Sequence, residues 1–152
     1  MDITKLSITD INQAFRQKKF SSTELTLAYI KNIENNRHLN AFISETFDIA
    51  LDQAKISDSN ITKGDFRELE GIPLAIKDLF CTKNIRTTCA SKMLENFIPT
   101  YESTVTQKLL DAGAVFLGKT NMDEFAMGSA NANSFFGKAI NPYKRKNSNE
   151  DL

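Results

Sequence analysis

Two short apolar runs constrain the fold of this chain more than any other feature. Gly71-Ile72-Pro73-Leu74-Ala75-Ile76 and Ala114-Val115-Phe116-Leu117 are each too short for a helix. Each is compact, apolar and bounded by turn residues, which is the pattern of a strand buried on both faces. Pro73 is tolerated there because it falls near the strand start. The second run follows directly on a helical stripe: Ser103 as N-cap, Val105, Leu109 and Ala112 on one face, and Gly113 just past the end. Helix and strand in such close succession predict α/β layering.

The first third of the chain reads as helices. Ser7 caps a segment with Ile8, Ile11 and Phe15 on one face, and Ser21-Ser22-Thr23-Glu24 is a capping box opening a stripe of Leu25, Ala28, Tyr29 and Ile33. Ala41-Phe42-Ile43 is strand-like, and Phe47, Ala50, Leu51 and Ala54 form a further helical stripe. These stripes read as core faces. The polar stretch 58–70 reads as a surface connector. The expected layout is a helical part over 1–60 and an α/β part over 71–142, together one unit over 1–142. A polar tail, 143–152, is expected to be mobile.

Composition excludes several classes. The chain has 152 residues, with 19 Lys and Arg against 19 Asp and Glu, so it lacks the electrostatic footprint of a dedicated nucleic-acid or membrane-surface binder. At 41% hydrophobic and 25% charged it is a globular and not a disordered composition. No apolar run approaches membrane-spanning length, and Met1 to Leu6 carries no secretory apolar core, so a cytoplasmic location without a membrane is expected. In that compartment Cys81 and Cys89 are expected to stay reduced. The single histidine, His38, excludes multi-histidine metal sites and lies in a polar connector.

Four sequence features could carry chemistry. Gly113-Ala-Val-Phe-Leu-Gly118-Lys119-Thr120 matches a phosphate-loop pattern, but its middle is apolar and strand-like and its first Gly ends a helix. That context is the inverse of a phosphate loop. Outside it, Lys119 reads as a strand-end lysine. Lys77 ends the first apolar run, and alternation sends it and Asp78 to opposite faces. A lysine leaving a buried strand either loses solvation and becomes a base, or extends its ammonium to water. Gly128-Ser129 sits in a small-residue segment, 126–133, suited to a tight loop that approaches a ligand or to an ordinary loop. Adjacent Asp123 and Glu124 read as a solvated face or helix N-terminus, not as a spaced catalytic pair. Ser91, Ser129 and Ser134 lie in no nucleophile elbow.

Several blocks in order carry a resemblance. Gly71-Ile-Pro-Leu-Ala-Ile-Lys77-Asp78, Thr87-Thr-Cys-Ala-Ser91, Gly118-Lys-Thr-Asn-Met-Asp-Glu-Phe-Ala-Met-Gly-Ser129 and Asn141-Pro142 closely resemble the amidase signature family along essentially the whole chain. The resemblance implies a mixed β-sheet flanked by helices, of which this chain would hold the first part. It implies amide hydrolysis by a Ser–cis-Ser–Lys triad whose lysine matches Lys77, with a loop matching Met127, Gly128 and Ser129 lining the acyl site. Within the family the blocks are most like a subunit that releases ammonia from glutamine. That implies partner subunits B and C, with glutamine and tRNA bound only in the complete complex. It also implies ATP and Mg used by the partner, and no cofactor in this chain.

One departure bears on activity. Both family serines lie on a Gly/Ser-rich stretch after the Asn-Pro block, and no Gly-Gly-Ser-Ser-Gly-Gly occurs among these 152 residues. The expectation is a front portion of a larger catalytic unit, inactive alone because a base without a nucleophile supplies no covalent catalysis. The other reading is a non-catalytic interaction module that binds the partner subunits. A partial sheet is also expected to expose apolar faces and unpaired edges.

Overall fold

The computed structural model describes residues 2–143, so the expected tail beyond 143 lies outside the described residues. The fold is α/β. Its centre is a mixed sheet of β1 (Phe42–Glu45), β2 (Pro73–Lys77) and β3 (Val115–Thr120), ordered β1-β3-β2. β1 runs antiparallel to β3 and β2 runs parallel to it. Around the sheet lie α1 (Ile8–Arg16), α2 (Ser22–Asn35), α3 (Phe47–Lys63) and α4 (Thr104–Asp111).

Local chemistry starts the helices where the sequence indicates. The Ser21 hydroxyl accepts from Glu24 N at 3.0 Å and Ser21 N donates to the Glu24 carboxylate at 2.7 Å, closing the capping box of α2. Ser7 and Asp10 close the same device on α1, and Ser103 caps α4. Gly113 follows the end of α4 with φ +94°, the left-handed C′ position.

The stretch 58–70 is not simply a surface connector. α3 continues to Lys63, and Asp58 on it accepts from Ser22 N at 2.6 Å and Thr23 N at 3.1 Å. A carboxylate there satisfies free amides at the positive end of α2. Glu70 is fully buried and bonds the Arg67 guanidinium. Polar composition concealed the Asp58 contacts because its partners are backbone amides remote in sequence.

β3 is the buried strand, and helices cover both of its faces. Val115 and Leu117 pack with Ile30, Ala50 and Ala54 from α2 and α3. Phe116 packs with Ile76 and Ala114 in a cluster that Leu109 and Leu110 of α4 flank. A third cluster, Ile11, Phe15, Leu25 and Ile72, joins α1 and α2 to the approach of β2. Gly118 sits where the register shifts against β2, and on its β1 side a Cβ would lie 2.3 Å from Ser44 O. Only glycine lets β1 approach so closely.

The Gly113–Thr120 segment is therefore a helix end followed by a hydrogen-bonded strand, not a loop with free amides. Among the described residues β1 and β2 each pair on one side only. Met93, Met127 and Tyr143 are 84%, 81% and 78% exposed, in keeping with the expected uncovered apolar surface.

Candidate functional site

Because β2 and β3 are parallel, their C-terminal ends lie side by side, with Lys77 paired to Thr120. Ligand sites in such sheets form beyond these ends, where loops diverge. Here the chain after β3 turns back across the end of β2 and leaves an open cleft of about 280 Å³. Its lining includes Lys77, Asp123, Ala126, Gly128, Ser129 and Asn131. Lys77 and the Gly128-Ser129 segment, far apart in sequence, thus share one cavity. Met127 lies outside that lining and is largely exposed.

Lys77 is exposed and Asp78 is fully buried, as alternation requires. Of the two readings of Lys77, the exposed side chain matches the one that extends the ammonium to water, and the buried lysine of the sheet is Lys119. β2 lacks a neighbour on its outer side among the described residues, which leaves Lys77 open. Lys119 lies on the central strand and is 1% exposed. Its ammonium donates to Phe80 O at 2.6 Å and Thr87 Oγ1 at 2.7 Å, and lies 3.6 Å from Asp78 Oδ1. Burial pulls the Lys119 ammonium below the ordinary lysine value, and the Asp78 charge opposes this. Lys119 is accordingly no plain strand-end lysine.

Asp123 is not a solvated acid either. It is buried, and its carboxylate accepts from the amides of Asn131 at 2.8 Å, Ala132 at 2.8 Å and Asn133 at 2.9 Å. These donors, Asn133 foremost, hold its carboxyl below the usual carboxylate range. The loop that carries Gly128 and Ser129 is thus folded around one carboxylate. Glu124 is exposed and accepts from the hydroxyl of buried Ser91.

The segment 87–91 packs against the chain that follows β3. Cys89 and Ala90 have φ of +52° and +55°, and facing them Phe125 and Ala126 have +51° and +60°. Four non-glycine residues in the left-handed region are held by their surroundings. Phe125 N donates to Cys89 O and Phe135 N to Ala90 O, both at 2.9 Å. Cys81 and Cys89 are unpaired thiols, and burial pushes the Cys89 thiol up, with Asp78 adding to the effect. His38 is exposed on a short 3₁₀ turn, Arg37–Leu39, and Ser134 lies outside the cleft lining. No described helix is long and apolar enough to cross a membrane.

The sequence did not reveal Asp78, Lys119 or the tether role of Asp123. One signal was available for Lys119: it continues an apolar run that reads as buried on both faces. The bulge at Gly118, which resets the side-chain alternation, is not visible in composition.

A helix-flanked mixed sheet, with an amine and a small-residue loop in one cleft at its strand ends, has the form of an α/β ligand site. The chain belongs to the amidase family, whose profile, described as Amidase, matches residues 24–149. It is 54% identical over 151 residues to the A subunit of the glutamyl-tRNA(Gln) amidotransferase of Rickettsia bellii, covering 99% of this chain and 31% of the relative. The same subunit of Beijerinckia indica is 52% identical with the same coverage. The peptide amidase of Stenotrophomonas maltophilia has a similar structure, with a TM-score of 0.84, 32% identity, and coverage of 92% of this chain and 30% of that one. The chain therefore spans about 31% of the length of these amidotransferase relatives and corresponds to their N-terminal portion.

Proposed function

We propose that this chain supplies the lysine-bearing portion of the glutamine amidase subunit of a glutamyl-tRNA(Gln) amidotransferase. The observation that carries the reading is the shared cleft of Lys77 with Gly128 and Ser129, in a chain 54% identical to such an amidase component. In this reading Lys77 takes a proton from a first serine, which takes one from a second, whose oxygen attacks the glutamine carboxamide. The proton returns from Lys77 through the first serine to the leaving nitrogen, which departs as ammonia and leaves the acyl group on the second serine. Gly128 and Ser129 form the wall beside the acyl group, and Met127, outside the cleft lining, has no part in it. Subunits B and C are the partners, and ATP and Mg serve the partner that passes ammonia to glutamate on tRNA(Gln).

The 152 residues hold no Gly-Gly-Ser-Ser-Gly-Gly, and the reading has them inactive toward glutamine until the remaining portion is supplied. The test measures ammonia release by the purified chain, alone and after mixing with the remaining portion of the Rickettsia bellii relative. The expected result is no turnover alone and turnover on completion that Lys77→Ala abolishes. Turnover by the chain alone, or completed turnover indifferent to Lys77→Ala, overturns the reading.

A further inference from the structure

Asp78 is the residue through which the two halves of the cleft are joined. Its own N–H donates to Thr120 O at 3.1 Å, extending the β2–β3 ladder one step beyond Lys77. Its side chain, on the opposite face, is fully buried. There Asp78 Oδ2 accepts from the Thr88 amide at 2.9 Å and from the Thr88 hydroxyl, and Asp78 O accepts from Cys89 N at 3.1 Å. Asp78 Oδ1 has no hydrogen-bond partner and faces the Lys119 ammonium at 3.6 Å.

The connection continues outward. Thr88 leads into Cys89 and Ala90, whose left-handed backbone this carboxylate spans. Ala90 N lies 3.5 Å from Asp78 Oδ2. The carbonyls of Cys89 and Ala90 then accept from Phe125 and Phe135, and Ser91 bonds Glu124. Residues 124–135 include the loop with Gly128 and Ser129. A single acid adjacent to Lys77 in sequence therefore holds the strand end, the 87–91 turn and, through that turn, the far wall of the cleft.

We infer that Asp78, with Lys119 as its buried counter-charge and Thr88 as its donor, is a positioning residue that sets Lys77 against the Gly128-Ser129 loop. The inference rests on the proposed function of that cleft. Burying an ion pair in a small core contributes little to stability, because desolvation offsets most of the attraction. What such a pair does provide is a fixed geometry: both charges have one arrangement that satisfies them.

The test uses this chain with the single variants Asp78→Asn, Lys119→Met and Thr88→Val. Two readouts are taken: amide spectra in ¹H and ¹⁵N, and the labelling rate of each lysine by an amine-reactive ester, mapped by mass spectrometry. The amides of 88–91 and 124–133 are expected to shift or broaden while those of α1 and α2 stay in place. Lys77 labelling is expected to change about threefold or more relative to Lys31, the low end of coupling between contacting residues. Folded variants that leave both the 124–133 amides and Lys77 labelling at wild-type values overturn the inference and reduce the pair to core filling. Thr88→Val keeps the side-chain shape, removes one hydroxyl, and decides the matter if the charge variants do not fold. A completed enzyme indifferent to Lys77→Ala sinks the proposed function without touching the labelling result, so the two failures are separable.

Discussion

A Cβ placed on Gly128 would lie 2.5 Å from Cγ of Asp123. The backbone at Gly128 passes directly over the carboxylate that gathers the amides of Asn131, Ala132 and Asn133. Gly128→Ala must therefore push the loop off its anchor, since neither a backbone atom nor a side chain bonded on both oxygens can give way. The expected cost is about 1–3 kcal/mol, the usual range for overpacking. Hydrogen exchange should show it as faster exchange at Asn131 to Asn133, with the α1 and α2 amides unchanged. Unaltered exchange at those three amides would contradict the placement of Gly128.

Acid should loosen the same loop. Hydrogen bonds from Asn133, Asn131 and Ala132 hold Asp123 below the ordinary carboxylate value. At Glu70 burial pushes the carboxyl up, but hydrogen bonds from Arg67, Ser57 and Asn60 outweigh it and the net direction is down. The unfolded chain then binds more protons than the folded one just below the ordinary value of about 4. Both groups contribute stability that is present above that pH and is lost as pH falls through their folded values. Urea midpoints measured from neutral pH down into this window should fall, and fall less steeply in Asp123→Asn. A variant with the wild-type acid slope would count against the carboxylate as anchor.

Lys77 offers a different kind of prediction. Its side chain is exposed and no carboxylate among the described residues pairs with it. Lys77→Ala should leave the melting temperature of this chain within the range of an ordinary surface change, about 0.5 kcal/mol in stability. Loss of turnover in a completed enzyme is then attributable to the missing amine. A large drop in stability would place Lys77 in the framework instead.

What the sequence disclosed depended on how local the determining interaction was. The capping serines, Gly113 and the apolar runs were legible because each acts within a few residues: Ser21 with Glu24, Gly113 with the last turn of α4. The strand at Phe42 was legible as apolar spacing, though its antiparallel pairing with β3 was not. Asp58, Asp78 and Asp123 carry no local mark of burial or pairing, and each is bound to amides, a hydroxyl or a cation reached only after folding. Lys77 could be singled out because it ends an apolar run, yet the buried lysine is Lys119 on the neighbouring strand. A one-residue bulge at Gly118 separates those outcomes, and such bulges have no compositional mark.

The close approach of β1 to Gly118 can be tested directly. Gly118 has φ +152°, and its substituent would meet a backbone oxygen, Ser44 O, at 2.3 Å. Backbone cannot rotate away as a flexible side chain can, so β1 must move as a unit. Gly118→Ala should cost about 2–4 kcal/mol, combining overpacking with strained backbone. Denaturant unfolding measures the loss. Exchange at the β1 amides should rise more than at β2, because the clash lies on the β1 side. Equal exchange on both sides would argue against this register.

The Lys119–Asp78 pair gives the sharpest thermodynamic test. Both side chains are essentially inaccessible, at 1% and 0% exposure. Lys119→Met leaves the Asp78 carboxylate buried without a counter-charge, and breaking a buried pair in this way costs about 3–5 kcal/mol. Asp78→Asn similarly strands the Lys119 ammonium. The double variant Asp78→Asn/Lys119→Met removes both charges and should cost clearly less than the sum of the single changes, a coupling that a double-mutant cycle in urea reads directly. The pH dependence has a defined sign as well. Burial, opposed by Asp78, lowers the folded-state value of Lys119 below its ordinary 10.5. Between the folded and unfolded values the unfolded chain binds the extra proton, so this residue's contribution to stability rises with pH across that alkaline window. Lys119→Met should flatten that rise. Additive single variants, or an alkaline profile unchanged by Lys119→Met, would mean that the two charges do not act on one another in the folded chain.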